Sequence, residues 1–323
     1  MPIRSNRNLK SYYDRFSYSG AGGPPRVDNH YGGRGIIFGG GSSNVIQYIT
    51  IQSTGNSTDF GDLNQNADWS AGTSSGGAGR AVKAGGNANH TNMDYVTVAS
   101  TSNATDFGDL FKPMREFAGC SNVTRGVFGG GYAENASGHD TMQYITIATT
   151  SNSTDFGNAS SVWTANGCSN GTRGTWMGGY NGGNTPNTQI DYVTLSTTSN
   201  TSDFGDLSYS CYAPGGAVGN SPNDDDRGIY MGGASPTYGS SNTVSMSYIT
   251  ISTTGNGTDF GDLVSASYIS GAQNDGSRGV QCGTGSSNVM QYFAIGTTGN
   301  AQDFGDLLSG ASGFTAMGNS SGD

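Results

Sequence analysis

The sequence predicts an all-β fold, a closed β-propeller of six blades with four strands in each. Gly supplies 55 of the 323 residues and charged residues only 12%, which leaves little material for long helices. The chain nevertheless holds 17 Tyr and 13 Phe, too many for a solvated tail. One unit also recurs six times along the chain, and such self-similarity is the signature of a repeat architecture.

The string Asp-Phe-Gly marks the repeated unit. Its Asp recurs at spacings of 44 to 56 residues, at Asp59, Asp106, Asp155, Asp203, Asp259 and Asp303. A Tyr always stands 11 positions earlier, at Tyr48, Tyr95, Tyr144, Tyr192, Tyr248 and Tyr292. An Arg stands further upstream, at Arg34, Arg80, Arg125, Arg173, Arg227 and Arg278. Agreement at fixed offsets in all copies makes this a structural unit.

Each unit divides into four short strands. The segment Gln-Tyr-Ile-Thr-Ile alternates as a half-buried strand does, and the Thr-Thr-Gly-Asn after it is turn chemistry. The Asp-Phe-Gly-Asp-Leu segment begins a second strand, and the Gly-rich segment after the Arg is a third, suited to a crowded position. A fourth is expected before each Arg, as in Arg115–Asn122 or Tyr268–Gln273. Four strands in about 49 residues favour a kelch-like blade.

The two ends of the chain predict ring closure. Ser309–Ser320 resembles the strand that precedes an Arg in other units, but no Arg-containing strand follows it. The first unit begins near Arg34 without such a strand, so we expect the C-terminal strand to complete the first blade and remove the open edges. An open solenoid is the alternative. The expected division is an arm over residues 1–27 and a propeller over residues 28–323.

The repeated Asp and Arg residues favour structural roles. One Asp per blade after a tight turn is expected to cap the turn by accepting backbone N–H bonds, although carboxylate pairs such as Asp59 and Asp62 also suit Ca²⁺. The repeated Arg is expected to pair with a carboxylate or a carbonyl between blades. A site of function would break the repeat, and these residues obey it, so we predict no metal site here.

Function is expected where the repeat changes length. The Arg-to-Tyr distance grows from 14 or 15 residues to between 19 and 21 in three consecutive blades. This adds long loops between the Gly-rich strand after the Arg and the strand that contains the Tyr. These loops emerge on one face of the disc and the Thr-Thr-Gly-Asn turns on the other. Aromatic rings and amides suit sugar rings, so the candidate ligand-binding residues are Tyr132, His139, Tyr180, Asn184 and Tyr238. The alternative is tolerated surface variation.

Charge is distributed unevenly along the chain. Residues 1–26 carry a net charge of +4, whereas the remainder carries −14, so nucleic-acid binding by the propeller is not expected. The basic arm is predicted to anchor the protein to others through Arg4, Arg7, Lys10 and Arg15. The loop Pro214–Asp226 has three successive Asp residues, at 224–226. It could take a cation, but solvation is the simpler interpretation.

The sequence contains no recognisable catalytic motif. Its three His residues, His30, His90 and His139, stand at unrelated repeat positions, and no HExxH, CxxC, Walker loop or GxSxG elbow occurs. We therefore predict no enzyme activity and no cofactor. No apolar run approaches the roughly 18 residues of a membrane span and no Sec-type signal peptide is present, so membrane insertion is not expected.

The unit at Ser247–Leu263, with a variant at Gln143–Ala159, resembles kelch-like repeats in structural proteins of tailed bacteriophages, particularly marine and cyanobacterial ones. The resemblance spans residues from about 30 to 323 and implies a virion protein present in many copies. It implies a tail fibre or tail-associated adhesin that displays the propeller on the particle to bind host-surface glycan. A capsid or neck decoration protein and a bacterial glycan-binding propeller are the alternatives.

Overall fold

The architecture is built from strands alone. The computed structural model describes residues 33–76, 79–86, 90–132, 140–160, 166–181, 185–212, 215–220, 225–234, 242–283, 287–309 and 315–317. No helix occurs in these ranges, and hence none there is long and apolar enough to cross a membrane. The basic arm and its residues Arg4, Arg7, Lys10 and Arg15 lie outside the described residues.

Twenty-five strands follow one another along the described chain. The first twelve are β1 (Arg34–Phe38), β2 (Ser43–Thr50), β3 (Thr58–Ala67), β4 (Ala71–Ser74), β5 (Arg80–Ala84), β6 (Asn92–Thr97), β7 (Thr105–Asp109), β8 (Ala118–Ser121), β9 (Arg125–Gly129), β10 (Thr141–Thr146), β11 (Thr154–Asn158) and β12 (Asn166–Ser169). The others are β13 (Arg173–Met177), β14 (Tyr180–Asn181), β15 (Thr185–Thr194), β16 (Ser202–Cys211), β17 (Gly216–Gly219), β18 (Arg227–Met231), β19 (Ser245–Thr250), β20 (Thr258–Asp262), β21 (Gly271–Asn274), β22 (Arg278–Cys282), β23 (Val289–Ala294), β24 (Gln302–Asp306) and β25 (Thr315–Met317).

These strands form six antiparallel sheets, which are the blades. Blades two, three, five and six each use four consecutive strands, and blade four uses β12, β13, β15 and β16 with the short strand β14 paired to β15. The first blade has only three consecutive strands, β1 to β3, and takes its fourth from β25, which pairs with β1 from Ile36↔Met317 to Phe38↔Thr315. The predicted propeller and its closure by the C-terminal strand are confirmed. The pairing with β25 covers the edge of β1 that would otherwise be open.

The strand before each Arg is the innermost strand of its blade. The six innermost strands, β25, β4, β8, β12, β17 and β21, neighbour one another in a closed ring. They are short, and those of blades two to six are rich in Gly, Ala and Ser, because six backbones converge there and leave little room for side chains. Antiparallel pairing puts the Thr-Thr-Gly-Asn turns on one face of the disc, the turn face, and the long loops on the other, the loop face.

The core lies between neighbouring blades. The Phe of each Asp-Phe-Gly is at most 3% exposed and meets the repeated Tyr of its own blade edge to face, with ring centroids 5.8 to 6.1 Å apart. Edge-to-face pairs stabilise a core beyond the area they bury. The fixed interval between Tyr and Asp-Phe-Gly therefore reflects one aromatic pair built six times.

The repeated Arg residues join each blade to the next. Every guanidinium lies over the Tyr of its own blade, 4.3 to 4.7 Å from the ring centroid. Each also donates a hydrogen bond to a backbone carbonyl of the following blade, at 2.8 to 3.3 Å. Of the two partners considered from sequence, the carbonyl is the one found. Arg278 donates to Ile51 across the junction that closes the ring.

The repeated Asp residues do not make the turn caps expected of them, and the nearby Asn residues make contacts between blades. Asp59, Asp106, Asp155, Asp203, Asp259 and Asp303 are exposed on the outer strands, and within the described residues their carboxylates accept no hydrogen bond. The Asn three positions earlier accepts the N–H of an outer-strand residue of the preceding blade, at 3.0 to 3.1 Å in all six junctions. The sequence expectation was wrong because an edge strand turns this Asp to solvent.

The Gly of Asp-Phe-Gly completes the junction. It has a φ between 129° and 146° in all six blades. A Cβ on Gly261 would stand 2.5 Å from the carbonyl oxygen of Gly299 in the next blade. Only Gly combines this backbone conformation with so close an approach.

Candidate ligand-binding site

The structure describes only part of the predicted long-loop site. His139, Asn184 and Tyr238 lie outside the described residues, and of Tyr180 only the backbone is described, in the hairpin pair Tyr180↔Pro186. Tyr132 lies at the start of the first long loop. Its backbone forms an isolated two-way bridge with Arg115, with N–H to carbonyl distances of 2.8 and 3.0 Å.

This bridge connects Tyr132 with two segments that sequence reasoning did not single out. Asp68–Trp69 and Arg115–Glu116 occupy the same repeat position, two and three residues before an innermost strand. Trp69 and Glu116 both have left-handed backbones, with φ of 53° and 55°, and the Glu116 N–H donates to the Trp69 carbonyl at 2.9 Å. We call Asp68, Trp69, Arg115, Glu116 and Tyr132 the mouth cluster, because it adjoins the loop-face end of the central channel.

Arg115 is the centre of the mouth cluster. Its guanidinium carbon lies 4.6 Å from the ring centroid of Tyr132 and 5.7 Å from that of Trp69. Its Nε is 3.8 Å from Oε1 of Glu116, and the two side chains are 28% and 19% exposed. These contacts make an aromatic and charged surface that remains partly open to solvent.

The mouth cluster contains polar atoms without a partner. Asp68 is only 9% exposed, and its Oδ1 is buried with no hydrogen bond; the same holds for the indole Nε1 of Trp69 and for Nε of Arg115. Buried polar atoms are nearly always satisfied in native proteins, and exceptions gather at sites of function. Three of the seven such atoms in the described residues lie in these two adjacent linkers, which makes the mouth cluster the candidate site.

Burial raises the carboxyl pKa values of this cluster. Desolvation raises the pKa of Asp68, and a hydrogen bond from the Trp69 backbone opposes the shift. Desolvation likewise raises the pKa of Glu116. The nearby Asp68 charge adds to this rise, and the Arg115 charge opposes it. Carboxyl groups perturbed by burial and by a specific charged neighbour are typical of functional sites.

The central channel itself is narrow. Its cavity is about 120 Å³ and is lined by small residues of the innermost strands, among them Gly72, Gly119 and Gly167, with Ser70 and Phe117 beside the mouth cluster. A space of this size accommodates a few water molecules, whereas pockets for small molecules are several times larger. A ligand would therefore bind across the mouth and not within the channel.

Other groups considered from sequence have structural surroundings. Asp226 of the acidic loop accepts from Asn170 Nδ2 at 2.7 Å and from the Ser252 N–H at 3.0 Å, tying two blades together; residues 221–224 lie outside the described ranges. Burial raises the pKa of Cys120, Cys168, Cys211 and Cys282, so these thiols stay protonated. The described residues contain no group of three metal-ligating side chains.

A sequence signal for the mouth cluster did exist. Charged residues are rare in this chain, yet Asp-Trp and Arg-Glu stand at matching repeat positions, where the sixth unit has Tyr268–Ile269. One of only three Trp residues is among them. Attention to substitutions at a fixed repeat position, besides changes in loop length, would have selected these four residues.

Comparison with known proteins supports the fold. No protein-family model and no curated protein matches the chain, whereas 312 chains of solved structures do. One of them, described as the structure of YjhT, aligns with a TM-score of 0.60 and 9% sequence identity over 80% of this chain and 91% of that chain. The chain is thus similar to YjhT in fold, and its architecture is that of a kelch-like six-bladed β-propeller.

Proposed function

We propose that this protein is a non-enzymatic binding protein that recognises a carbohydrate through the loop face of its propeller. The observation that carries the proposal is the mouth cluster, in which an indole N–H and a carboxylate oxygen are buried without partners. A saccharide supplies hydroxyl groups that accept from the first and donate to the second.

The surroundings of these atoms suit a sugar ring. Trp69 and Tyr132 present aromatic surface, and ligand sites commonly combine apolar contact with a few convergent polar groups. The six repeated blade junctions hold the linkers in place, so little ordering is required when the ligand binds. Tyr132 also begins the first of the three lengthened loops of the sequence, and loops of this kind often carry binding residues.

We further propose that the propeller is displayed on a phage virion, as a tail fibre or tail-associated adhesin. The support is the resemblance of the repeat unit to kelch-like repeats of tailed-phage structural proteins, together with the basic composition of residues 1–26. In this proposal the arm attaches to other virion proteins, in many copies, and the loop face points to the host surface.

A glycan array with the purified protein tests recognition. Trp69→Ala and Arg115→Ala are expected to lower binding at least tenfold, since each removes a central contact of the mouth cluster. Leu308→Ala, a matched substitution at an exposed residue outside the cluster, is expected to bind as the wild type does. Binding that is unaffected by Trp69→Ala and Arg115→Ala would reject this site.

Immunogold labelling of particles tests the location. Label at tail or fibre tips supports an adhesin, whereas label over the capsid or neck supports the decoration or assembly alternative. A bacterial glycan-binding propeller predicts saccharide binding without any label on virions.

A further inference from the structure

We propose that the mouth cluster selects saccharides that carry a protonated amino group, with Asp68 as the counter-ion. This inference rests on the proposed function and deepens it, because it names the chemical class of the ligand. It follows from the count of charges in the cluster, the contacts that already engage them, and the atoms that remain without partners.

The charges of the mouth cluster do not balance. Two carboxyl groups, Asp68 and Glu116, share the site with one cation, Arg115. The guanidinium lies against the Tyr132 and Trp69 rings and 3.8 Å from Glu116, and within the described residues no ion pair joins it to Asp68. Asp68 therefore has no cation of its own within the described residues.

Burial makes the lack of a partner for Asp68 costly. Its Oδ1 is buried without a hydrogen bond, and a desolvated carboxylate is unfavourable unless it is paired. A ligand ammonium placed beside Oδ1 supplies both a charge and a donor, and charge-assisted hydrogen bonds are stronger than neutral ones. Desolvation is the main cause of the raised pKa values of both Asp68 and Glu116, and the neighbouring Asp68 charge raises that of Glu116 further.

Trp69 limits the ligand further. Its buried Nε1–H is a donor without an acceptor, so the ligand should offer an oxygen close to its ammonium group. A sugar ring with an amine next to a hydroxyl has this arrangement. Acidic sugars and phosphates fit poorly, because they would approach two carboxylates with only one guanidinium to offset them.

The test is calorimetric titration with three saccharides of equal length. They are a fully deacetylated chito-oligosaccharide, its N-acetylated form and a cello-oligosaccharide. At C2 of each ring they carry an amino group, an acetamido group and a hydroxyl group, respectively. We expect the deacetylated form to bind at least tenfold more tightly than the other two. Asp68→Asn should lower its affinity at least tenfold more than that of the acetylated form, because Asn keeps the shape and loses the charge.

Two further variants keep the test decisive. Trp69→Phe retains an aromatic ring and removes the N–H, and we expect weaker binding of the deacetylated form. Asp303→Asn removes an exposed carboxylate of the outer rim and should change nothing, whereas an equal effect of both Asp variants would point to general charge attraction and overturn the inference. Thermal unfolding of each variant verifies that it is folded.

The outcomes separate the two proposals. Equal affinity for the amino and acetylated forms, with dependence on Trp69, overturns the amino-group inference and leaves carbohydrate recognition standing. No binding of any saccharide, here or on the array, overturns both.

Discussion

The turn face of the propeller is nearly identical in all six blades, whereas the loop face differs from blade to blade. On the turn face all six junctions use the same Arg, Asn and Gly contacts, down to hydrogen-bond lengths within a few tenths of an ångström. On the loop face the linkers differ from blade to blade, and two of them hold polar atoms without partners. Repeated contacts on one side thus leave the other side free to vary.

The interior of the blades also contains one repeat position at which the residue differs from blade to blade. The residue before each repeated Tyr is a buried polar group, at most 4% exposed in all six blades. It is Gln47, Gln143 and Gln291 in three blades and Ser247 in a fourth, but Asp94 and Asp191 in the other two. These two buried carboxyls are departures whose energetic cost can be measured.

The largest effect is expected from a change at a blade junction. Gly261→Ala places a Cβ 2.5 Å from the Gly299 carbonyl oxygen at a φ of 141°, and the clash and the backbone strain should lower the free energy of unfolding by about 3 kcal/mol. Gly299→Ala, whose Cβ meets nothing within 4 Å, is the control and should be nearly neutral. Denaturant unfolding measures both, and equal effects would contradict the junction geometry.

Replacing the buried charges of blade two should stabilise the protein. Burial lowers the pKa of Lys83 to about 8 and raises that of Asp94, and Lys83 Nζ has no hydrogen-bond partner. Blade six has Gln281 and Gln291 at these positions, joined by a 3.0 Å hydrogen bond. The double variant Lys83→Gln/Asp94→Gln should gain about 2 kcal/mol at pH 7.

The stability gain of this double variant should depend on pH. A Lys whose pKa is lowered on folding disfavours the folded state while it is protonated, and this penalty disappears as pH rises from about 8 through its unfolded value of 10.5. The advantage of the double variant should shrink over that window. Lys83→Gln alone should gain less than the double variant, because Asp94 would lose its nearest cation. A single variant as stable as the double variant would refute the pairing.

Asp191 allows a similar test in blade four. Burial raises its pKa to about 6 from 3.8, so its carboxylate destabilises the folded state above pH 6 and has no such effect below pH 3.8. Asp191→Asn should raise the free energy of unfolding by about 2 kcal/mol at pH 8 and by little at pH 3.5. The exposed Asp155→Asn serves as control, and a gain independent of pH would exclude desolvation as the cause.

The smallest effect tests ring closure. Arg278→Met removes the cation–π contact with Tyr292 and the bond to Ile51 across the closing junction, and Arg125→Met removes the same contacts at an internal junction. Each should cost about 1 kcal/mol. Chemical denaturation compares them, and a neutral Arg278→Met beside a destabilising Arg125→Met would show that the last junction is not formed.

Much of the fold could be predicted from the repeat because its contacts recur at fixed offsets. The six blades, their four strands and the closing role of the C-terminal segment all follow from six aligned copies. The innermost position belongs to the strand before each Arg, although the sequence suggested the Gly-rich strand after it for the crowded position. The Asn contact between blades did not follow, since Asp59 and Asn56 are three residues apart and both side chains can accept backbone N–H bonds. Only the position of the outer strand at the edge of the blade turns the Asp to solvent and the Asn to the neighbouring blade.

The candidate site marks the boundary between what sequence and tertiary structure decide. The sequence by itself determined the number of blades, their strands and the loops that break the repeat, because each is a local pattern or a periodicity. Tertiary structure decided that Asp68, Trp69, Arg115, Glu116 and Tyr132 meet, although they come from separate parts of the chain. They meet because the linkers of successive blades converge on one channel, and burial there leaves Asp68 Oδ1, Trp69 Nε1 and Arg115 Nε without a hydrogen-bond partner.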